Sequence, residues 1–161
     1  MNYSECIENA RTRIGNYCKA CPECNGRACK NQMPGPGAKG IGDTAIRNYD
    51  KWKEIRVQMD TIAENKPVDT SLELFGKKFL YPFFAGPVGA VGLHYGDCLD
   101  DVRYNDILVS ACAKYGIAAF TGDGLDSNVM VAATKAIGKT DGIGIPTVKP
   151  WNIDTVAEKM K

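Results

Sequence analysis

Phe79-Leu80-Tyr81-Pro82-Phe83-Phe84-Ala85-Gly86-Pro87-Val88-Gly89 is the stretch on which the fold is decided. From Phe79 to Phe84 it is mostly apolar, as a strand covered on both faces would be. After Ala85 it breaks into a Gly-rich loop. The remainder of the chain repeats that pattern. A helix is expected from about Asp100 to Tyr115, with Tyr104, Ile107, Leu108, Ala111 and Tyr115 on its buried face and Gly116 as its stop. Ile117-Ala118-Ala119-Phe120 reads as a second buried strand. Ser127 to about Ile137 reads as a second helix, ended by Gly138. Gly142 to Val148 is a third strand whose ladder Pro146 limits, and Asn152 caps a third helix. Strand, helix, strand, helix, strand, helix is the order of parallel βαβ units. A doubly wound sheet and a closed barrel both satisfy it.

Upstream the periodicity changes. Asp69 to Phe75 alternates polar and apolar, Gly76-Lys77 is a turn, and Lys78-Phe79-Leu80 starts a returning strand, which together predict a short hairpin. Before it, Asp43 is expected to cap a helix running to about Glu64. Ile46, Tyr49, Trp52, Ile55, Met59 and Ile62 form its apolar stripe, and Pro67 closes the region. A first helix is expected from Ser4 to about Tyr17, with Ile7, Ala10, Ile14 and Tyr17 on one face. Between these two helices lie a cysteine-rich segment and the run from Pro34 to Gly42. That run is too rich in Gly and Pro for a regular element, and reads as an ordered loop or a linker. The chain therefore divides into 1–42 (helix, cysteine segment, Gly/Pro loop) and 43–161.

The bulk composition narrows the classes. In 161 residues, 20 Lys and Arg stand against 19 Asp and Glu, so no net field attracts nucleic acid or an anionic membrane. No apolar run is long enough to span a bilayer. The amino terminus lacks the basic and apolar blocks of a secretory signal. A cytoplasmic protein acting on a small molecule is expected. Seven cysteines, an odd number, argue against a disulfide framework.

Asn48-Tyr49-Asp50-Lys51-Trp52, Leu74-Phe75-Gly76 and Pro82-Phe83-Phe84-Ala85-Gly86-Pro87-Val88-Gly89, in that order, resemble the start of the FMN-dependent α-hydroxy-acid dehydrogenase and oxidase family, the group containing glycolate oxidase. The resemblance runs from about Asp43 onward. It implies an α/β fold: the amino-terminal portion of a (β/α)₈ TIM barrel, with about three parallel strands and their helices, preceded by helices and a short hairpin. It also implies FMN as cofactor, with active-site groups on the loops after the strands.

Carried over by motif, Pro87, Val88 and Gly89 would border the flavin's reactive edge, and a Gly89 N–H could bond the ring. The alternative is a turn that needs glycine only for its shape. Thr121, in Thr121-Gly122-Asp123-Gly124, is the expected donor to the flavin's pyrimidine edge, and Asp123 reads as a turn residue. The Gln and Tyr that the family places on its third strand have no counterpart in Gly144-Ile145-Pro146-Thr147. Lys149 reads as a solvated lysine, with contact to flavin or an anionic substrate as its other reading. His94, the sole histidine, does not take the family's catalytic role, because that base lies far along the barrel.

A complete barrel needs about 250 residues. The chain therefore reads as part of a longer enzyme, inactive in isolation, or as one that closes its sheet by self-association into a homo-oligomer.

Cys18-x-x-Cys21-x-x-Cys24-x-x-x-x-Cys29 is a separate signal. Four thiols this close in sequence can converge on zinc or an iron–sulfur cluster. The triple Cys-x-x-Cys start has ferredoxin-type spacing, although the fourth cysteine falls one residue late. Free thiols or a redox pair are the other readings. Similar Cys-rich segments accompany clostridial-type members that the chain resembles. Cys6, Cys98 and Cys112 read as small core residues.

Two functions stay in contention. One is an FMN oxidoreductase of hydroxy acids, or an FMN barrel of another reaction such as type 2 isopentenyl diphosphate isomerase. The other is a non-enzymatic Cys₄ metal-binding interaction module.

Overall fold

The computed structural model describes residues 1–15, 17–29, 43–124, 126–141 and 143–161. The expected loop or linker from Pro34 to Gly42 lies outside them. The chain forms two compact units, one of residues 1–66 with 92–98, the other of 67–91 with 99–161.

In the first unit, α1 (Tyr3–Arg11) opens on a capping box. The Asn2 side chain accepts from the Glu5 N–H, and the Glu5 carboxylate accepts from the Asn2 N–H, each at 2.9 Å. The helix stops at Arg11, short of the expected Tyr17. The second helix, α2 (Thr44–Trp52), is likewise shorter than its apolar stripe suggests, and Asp43 precedes it without a side-chain cap bond. Ile55, Met59 and Ile62, expected on the buried face, are 65%, 83% and 95% exposed. A helix is sustained by packing of its apolar face more than by its periodicity. These three side chains have no such cover.

The second unit begins with the predicted hairpin, β1 (Leu72–Leu74) against β2 (Lys77–Phe79), antiparallel with Leu74 opposite Lys77. That register puts Phe75-Gly76 at the turn, one residue earlier than expected. Both have left-handed backbones, with φ of 53° and 69°, as a two-residue primed turn requires. The expected strand from Phe79 to Ala85 is not continuous. Phe79 belongs to the hairpin, and only Ala85 touches the parallel sheet, as a bridge to Ala119.

Next in the chain come α3 (Val91–Tyr95), which apart from Val91 belongs to the first unit, and then, in the second, α4 (Asp101–Lys114), β3 (Ala119–Phe120), α5 (Ser127–Lys139), β4 (Gly144–Ile145) and α6 (Ile153–Lys159). The short helix α3 replaces part of the expected Gly-rich loop. Gly138 lies inside α5 rather than ending it. The last three helices start on side-chain caps: Asp100 accepts from the Arg103 N–H at 2.7 Å, Asp126 from Asn128 at 2.9 Å, and Asn152 from Thr155 at 2.9 Å. β3 and β4 pair in parallel, Ala119 with Gly144 and Phe120 with Ile145. Ala85 completes a parallel trio: its N–H donates to Ala118 at 3.0 Å, and its carbonyl accepts from Phe120 at 2.9 Å.

One face of this trio is the core. Ala119 packs with Val109, Cys112 and Ala136, flanked by Ala85, Leu108, Ile117 and Ile137. Small residues here let α4 and α5 lie close on the strands. The inward face of α4 is Asn105, Val109 and Cys112; of the predicted set, Leu108 packs half-buried against this core, while Ile107 and Tyr115 are 49% and 65% exposed. Asn105 turns inward because its amide is satisfied there. It donates to the Asp101 carbonyl at 2.9 Å and accepts from the Gly122 N–H at 3.0 Å. Of the three cysteines expected in cores, Cys112 is buried, while Cys6 and Cys98 are exposed.

Candidate functional site

The carboxyl ends of Ala85, β3 and β4 lie side by side, so the loops after them form one surface. The other face of the sheet carries aromatic rings here. Phe84 meets Phe120 edge to face at 6.4 Å between centroids, and Phe79 meets Phe84 at 5.4 Å. A cavity of about 670 Å³ opens among Phe84, Gly86, Pro87, Phe120, Pro146, Thr147 and Val148. That volume lies in the range of small-molecule sites, and its lining is mostly apolar with a polar group or two.

Of the four residues expected to touch flavin, Pro87 lines the cavity. Val88, Gly89 and Thr121 do not. Val88 and Gly89 instead hold the first loop against the second. A Cβ on Gly89 would come 2.6 Å from the Asp123 carbonyl, and one on Gly122 would overlap the Val88 carbonyl. Loop packing is therefore sufficient to require glycine at 89. At Gly86 a Cβ would meet nothing within 4 Å, so this backbone faces open space at the cavity.

Thr121 is wholly buried, and its Oγ1 has no hydrogen-bond partner; the Thr147 Oγ1 is in the same condition. A buried hydroxyl left unpaired costs about 1–3 kcal/mol. Such atoms call for a ligand or a water to complete them. Sequence reasoning passes over Thr147, since it sits where the family's expected Gln and Tyr are missing. Its proximity to Pro146, at the end of an apolar strand, is the only signal the sequence offers.

Asp123, expected to be a turn residue, is a buried anion. Its Oδ2 accepts from the Lys149 N–H and from the Trp151 indole N–H, each at 2.7 Å. Its Oδ1 accepts from the Lys159 ammonium at 2.8 Å, and the two side chains are 0% and 4% exposed. Burial pushes its carboxyl up, but the Lys159 hydrogen bond, the Lys149 N–H and the Trp151 indole together outweigh it. The net result lies below the usual carboxylate range. The Lys149 side chain contributes no bond to this network; its Nζ lies 5.9 Å from the Trp151 ring centroid.

The cysteine segment belongs to the first unit. Cys18, Cys24 and Cys29 line a second cavity, of about 460 Å³, with Asn48, Tyr49 and Trp52 of α2. Cys21 is not in its lining. Ala20, at φ 44°, donates its N–H to the Cys18 Sγ at 3.5 Å, and Gly26, at φ 73°, fits against Ala45 at the start of α2. Burial, then the nearby Cys24, push the Cys29 thiol up, with Cys18 and Cys21 adding to the effect. The four thiols are free, and among the described residues no group of three or more His, Cys, Asp or Glu is arranged to hold a metal ion. The expected zinc or iron–sulfur site is thus not assembled. His94 lies in α3, in the first unit, edge to face with Tyr95 at 6.0 Å.

Compared with known families, residues 35–143 match the family model described as FMN-dependent dehydrogenase. The chain belongs to the FMN-dependent dehydrogenase family. FMN is therefore the cofactor of its class, and redox chemistry its broad function. No curated protein and no solved structure gave a significant match. Among the described residues, no helix of this FMN-dependent dehydrogenase chain is long and apolar enough to cross a membrane.

Proposed function

We propose that the chain forms one wall of the FMN site in a partial (β/α)₈ barrel, and that the complete enzyme oxidises a small 2-hydroxy acid in the cytoplasm. The observation carrying this reading is the cavity at the carboxyl ends of three parallel strands, lined by Phe84, Gly86, Pro87, Phe120 and Thr147. Barrel enzymes place their sites at this end of the strands. The open backbone at Gly86 and the aromatic floor of Phe84 and Phe120 suit a flat ring, so the residues lining the cavity fit the group.

Bound FMN would supply the hydride acceptor of the reaction. Pro87 and the open backbone of Gly86 would border its ring, and Phe84 and Phe120 would give the cavity an apolar floor. The proton-accepting base is assigned to barrel strands beyond these three. The same wall would serve an FMN barrel of another reaction, type 2 isopentenyl diphosphate isomerase among them, so the substrate is the narrowest part of this reading.

Titration of the protein with FMN, followed by quenching of flavin fluorescence, is the direct test. Saturable one-to-one binding is expected. Fluorescence that stays at the free-flavin level refutes the assignment.

A second reading concerns the first unit: Cys18, Cys24 and Cys29, joined by Cys21, bind one soft metal ion or cluster, forming a Cys₄ module that meets a partner. The shared cavity and the left-handed turns at Ala20 and Gly26 support it. Metal analysis of protein purified without chelator should return zinc or iron near one equivalent or more per chain, falling in a Cys24→Ser variant. Metal-free protein refutes it.

A further inference from the structure

The cysteine segment is held in place by groups other than its thiols. From α1, the Tyr3 hydroxyl donates to the Pro22 carbonyl at 2.6 Å and the Arg11 Nε–H to the Ala20 carbonyl at 3.3 Å. From α2, Asp50 pairs with Arg27 at 3.2 Å, and the Tyr49 hydroxyl donates to the Glu23 carboxylate. These contacts fall between the cysteines, at positions 20, 22, 23 and 27, so the backbone is fixed while the thiols stay free.

Within the segment, a turn joins Cys24 to Cys29. The Asn25 side chain accepts from the Arg27 N–H at 3.0 Å. Gly26 is left-handed at φ 73°, and a Cβ there would meet Ala45 at 2.8 Å. Past this turn the Cys29 Sγ reaches back to lie 4.0 Å from the Gly26 carbonyl. Cys24 and Cys29 thus line one cavity, and Cys24 is the thiol whose charge reaches Cys29 most strongly. Their exposure differs: Cys24 is open to solvent, and Cys29 is half-buried. The cavity, of about 460 Å³, has room for a small molecule, with Asn48, Tyr49 and Trp52 sharing its wall.

We propose that Cys24 and Cys29 form a dithiol–disulfide pair whose substrate is a small organic disulfide taken into this cavity. The Cys24 thiolate attacks one sulfur of the substrate. The substrate S–S bond breaks, one thiolate leaves, and Cys24 is held in a mixed disulfide. The Cys29 thiolate then attacks the Cys24 sulfur, forming the Cys24–Cys29 bond and expelling the second thiolate. Two electrons pass from the protein to the substrate, and the protons given up by the two cysteines go to the two departing thiolates. The exposed thiol is the one that attacks, because attack requires access. The inference rests on neither the flavin reading nor the metal reading, and a metal held by these thiols would block it.

The test uses the full protein, reduced and then freed of reductant, with bis(2-hydroxyethyl) disulfide as probe and peptide mass mapping as readout. Wild-type protein should gain a Cys24–Cys29 cross-link. It should form about tenfold faster than the probe adds to the exposed Cys6 and Cys98, because the cavity holds the probe beside Cys24. Cys29→Ser should stop at the mixed disulfide, with the probe's thiol left on Cys24. Cys24→Ser should leave Cys29 unmodified over the same time. A different pairing, a Cys24 no faster than Cys6 and Cys98, or a Cys24→Ser variant modified at Cys29 as fast as the wild type reacts overturns the assignment. So does wild-type protein in which these thiols resist the probe, as metal-bound ones would. The wild-type map decides the pairing without any variant, so a substitution that unfolds the protein leaves the test standing.

Discussion

Lys159→Met would leave the Asp123 carboxylate buried with two hydrogen bonds and no countercharge. Removing one partner of a buried ion pair costs about 3–5 kcal/mol. Two bonds of 2.7 Å, from the Lys149 N–H and the Trp151 indole, survive the change. Methionine also keeps most of the apolar stem that lysine packs. The expected loss is therefore at the lower end, about 3 kcal/mol. Against a total stability of about 5–15 kcal/mol this is a large fraction. It lowers the thermal midpoint by about 6–12 °C, at roughly 2–4 °C per kcal/mol for a chain of this length.

Urea unfolding followed by far-ultraviolet circular dichroism measures the change. A companion variant, Asp123→Asn with Lys159→Met, should recover most of the loss, since no unpaired charge is left. The pH dependence has a definite sign. Asp123 in the folded wild type lies below its unfolded value, so its contribution is present above that unfolded value, about pH 4. It fades as pH falls through the lower folded value. The gap between wild type and Lys159→Met should therefore close on acidification, starting where Asp123 of the folded variant takes up its proton and ending below the lowered folded value of the wild type. A Lys159→Met variant within about 0.5 kcal/mol of wild type at neutral pH would refute the reasoning, as would a double variant less stable than Lys159→Met.

Asn105→Ala removes the acceptor of the Gly122 N–H in the core, so a loss of about 1–3 kcal/mol in urea midpoints is expected, with no change in the slope of the transition. Gly122→Ala drives a methyl group into the Val88 carbonyl and must separate the first two loops. FMN binding should fall at least tenfold while the circular dichroism of the helices stays at the wild-type level; unchanged affinity would show that the loop contact does not shape the cavity.

The order of the second unit was legible in the sequence because each of its elements is announced locally. Asp100 and Asn152 cap their helices, Gly116 comes just after α4 at φ 69°, and the parallel strands are short apolar runs. What was not legible depends on partners distant in sequence. The inward face of α4 is turned by Asn105, a polar residue that only becomes a core residue once Gly122 is there to receive it. The stripe from Ile46 to Ile62 has helical spacing throughout, yet α2 ends at Trp52, since periodicity states which residues want cover and not whether cover exists. Of the residues expected at the flavin, Pro87 lines the cavity. Thr147 lines it too and was not expected, because a threonine after a proline carries no pattern. Asp123 looks like a turn residue for the same reason: its type and neighbours suit a turn, and its three donors arrive much later in the chain.

That lateness bears on how the protein is made. Lys159 leaves the ribosome 36 residues after Asp123, about 2–7 s later at ordinary rates of synthesis. Until then the carboxylate has no cation, and dehydrating it would be unfavourable. The loop after β3 must therefore stay in water while α4, β3 and α5 are already able to gather their alanine-rich core. The cavity's two loops are therefore joined through Asp123 only once α6 has docked during translation.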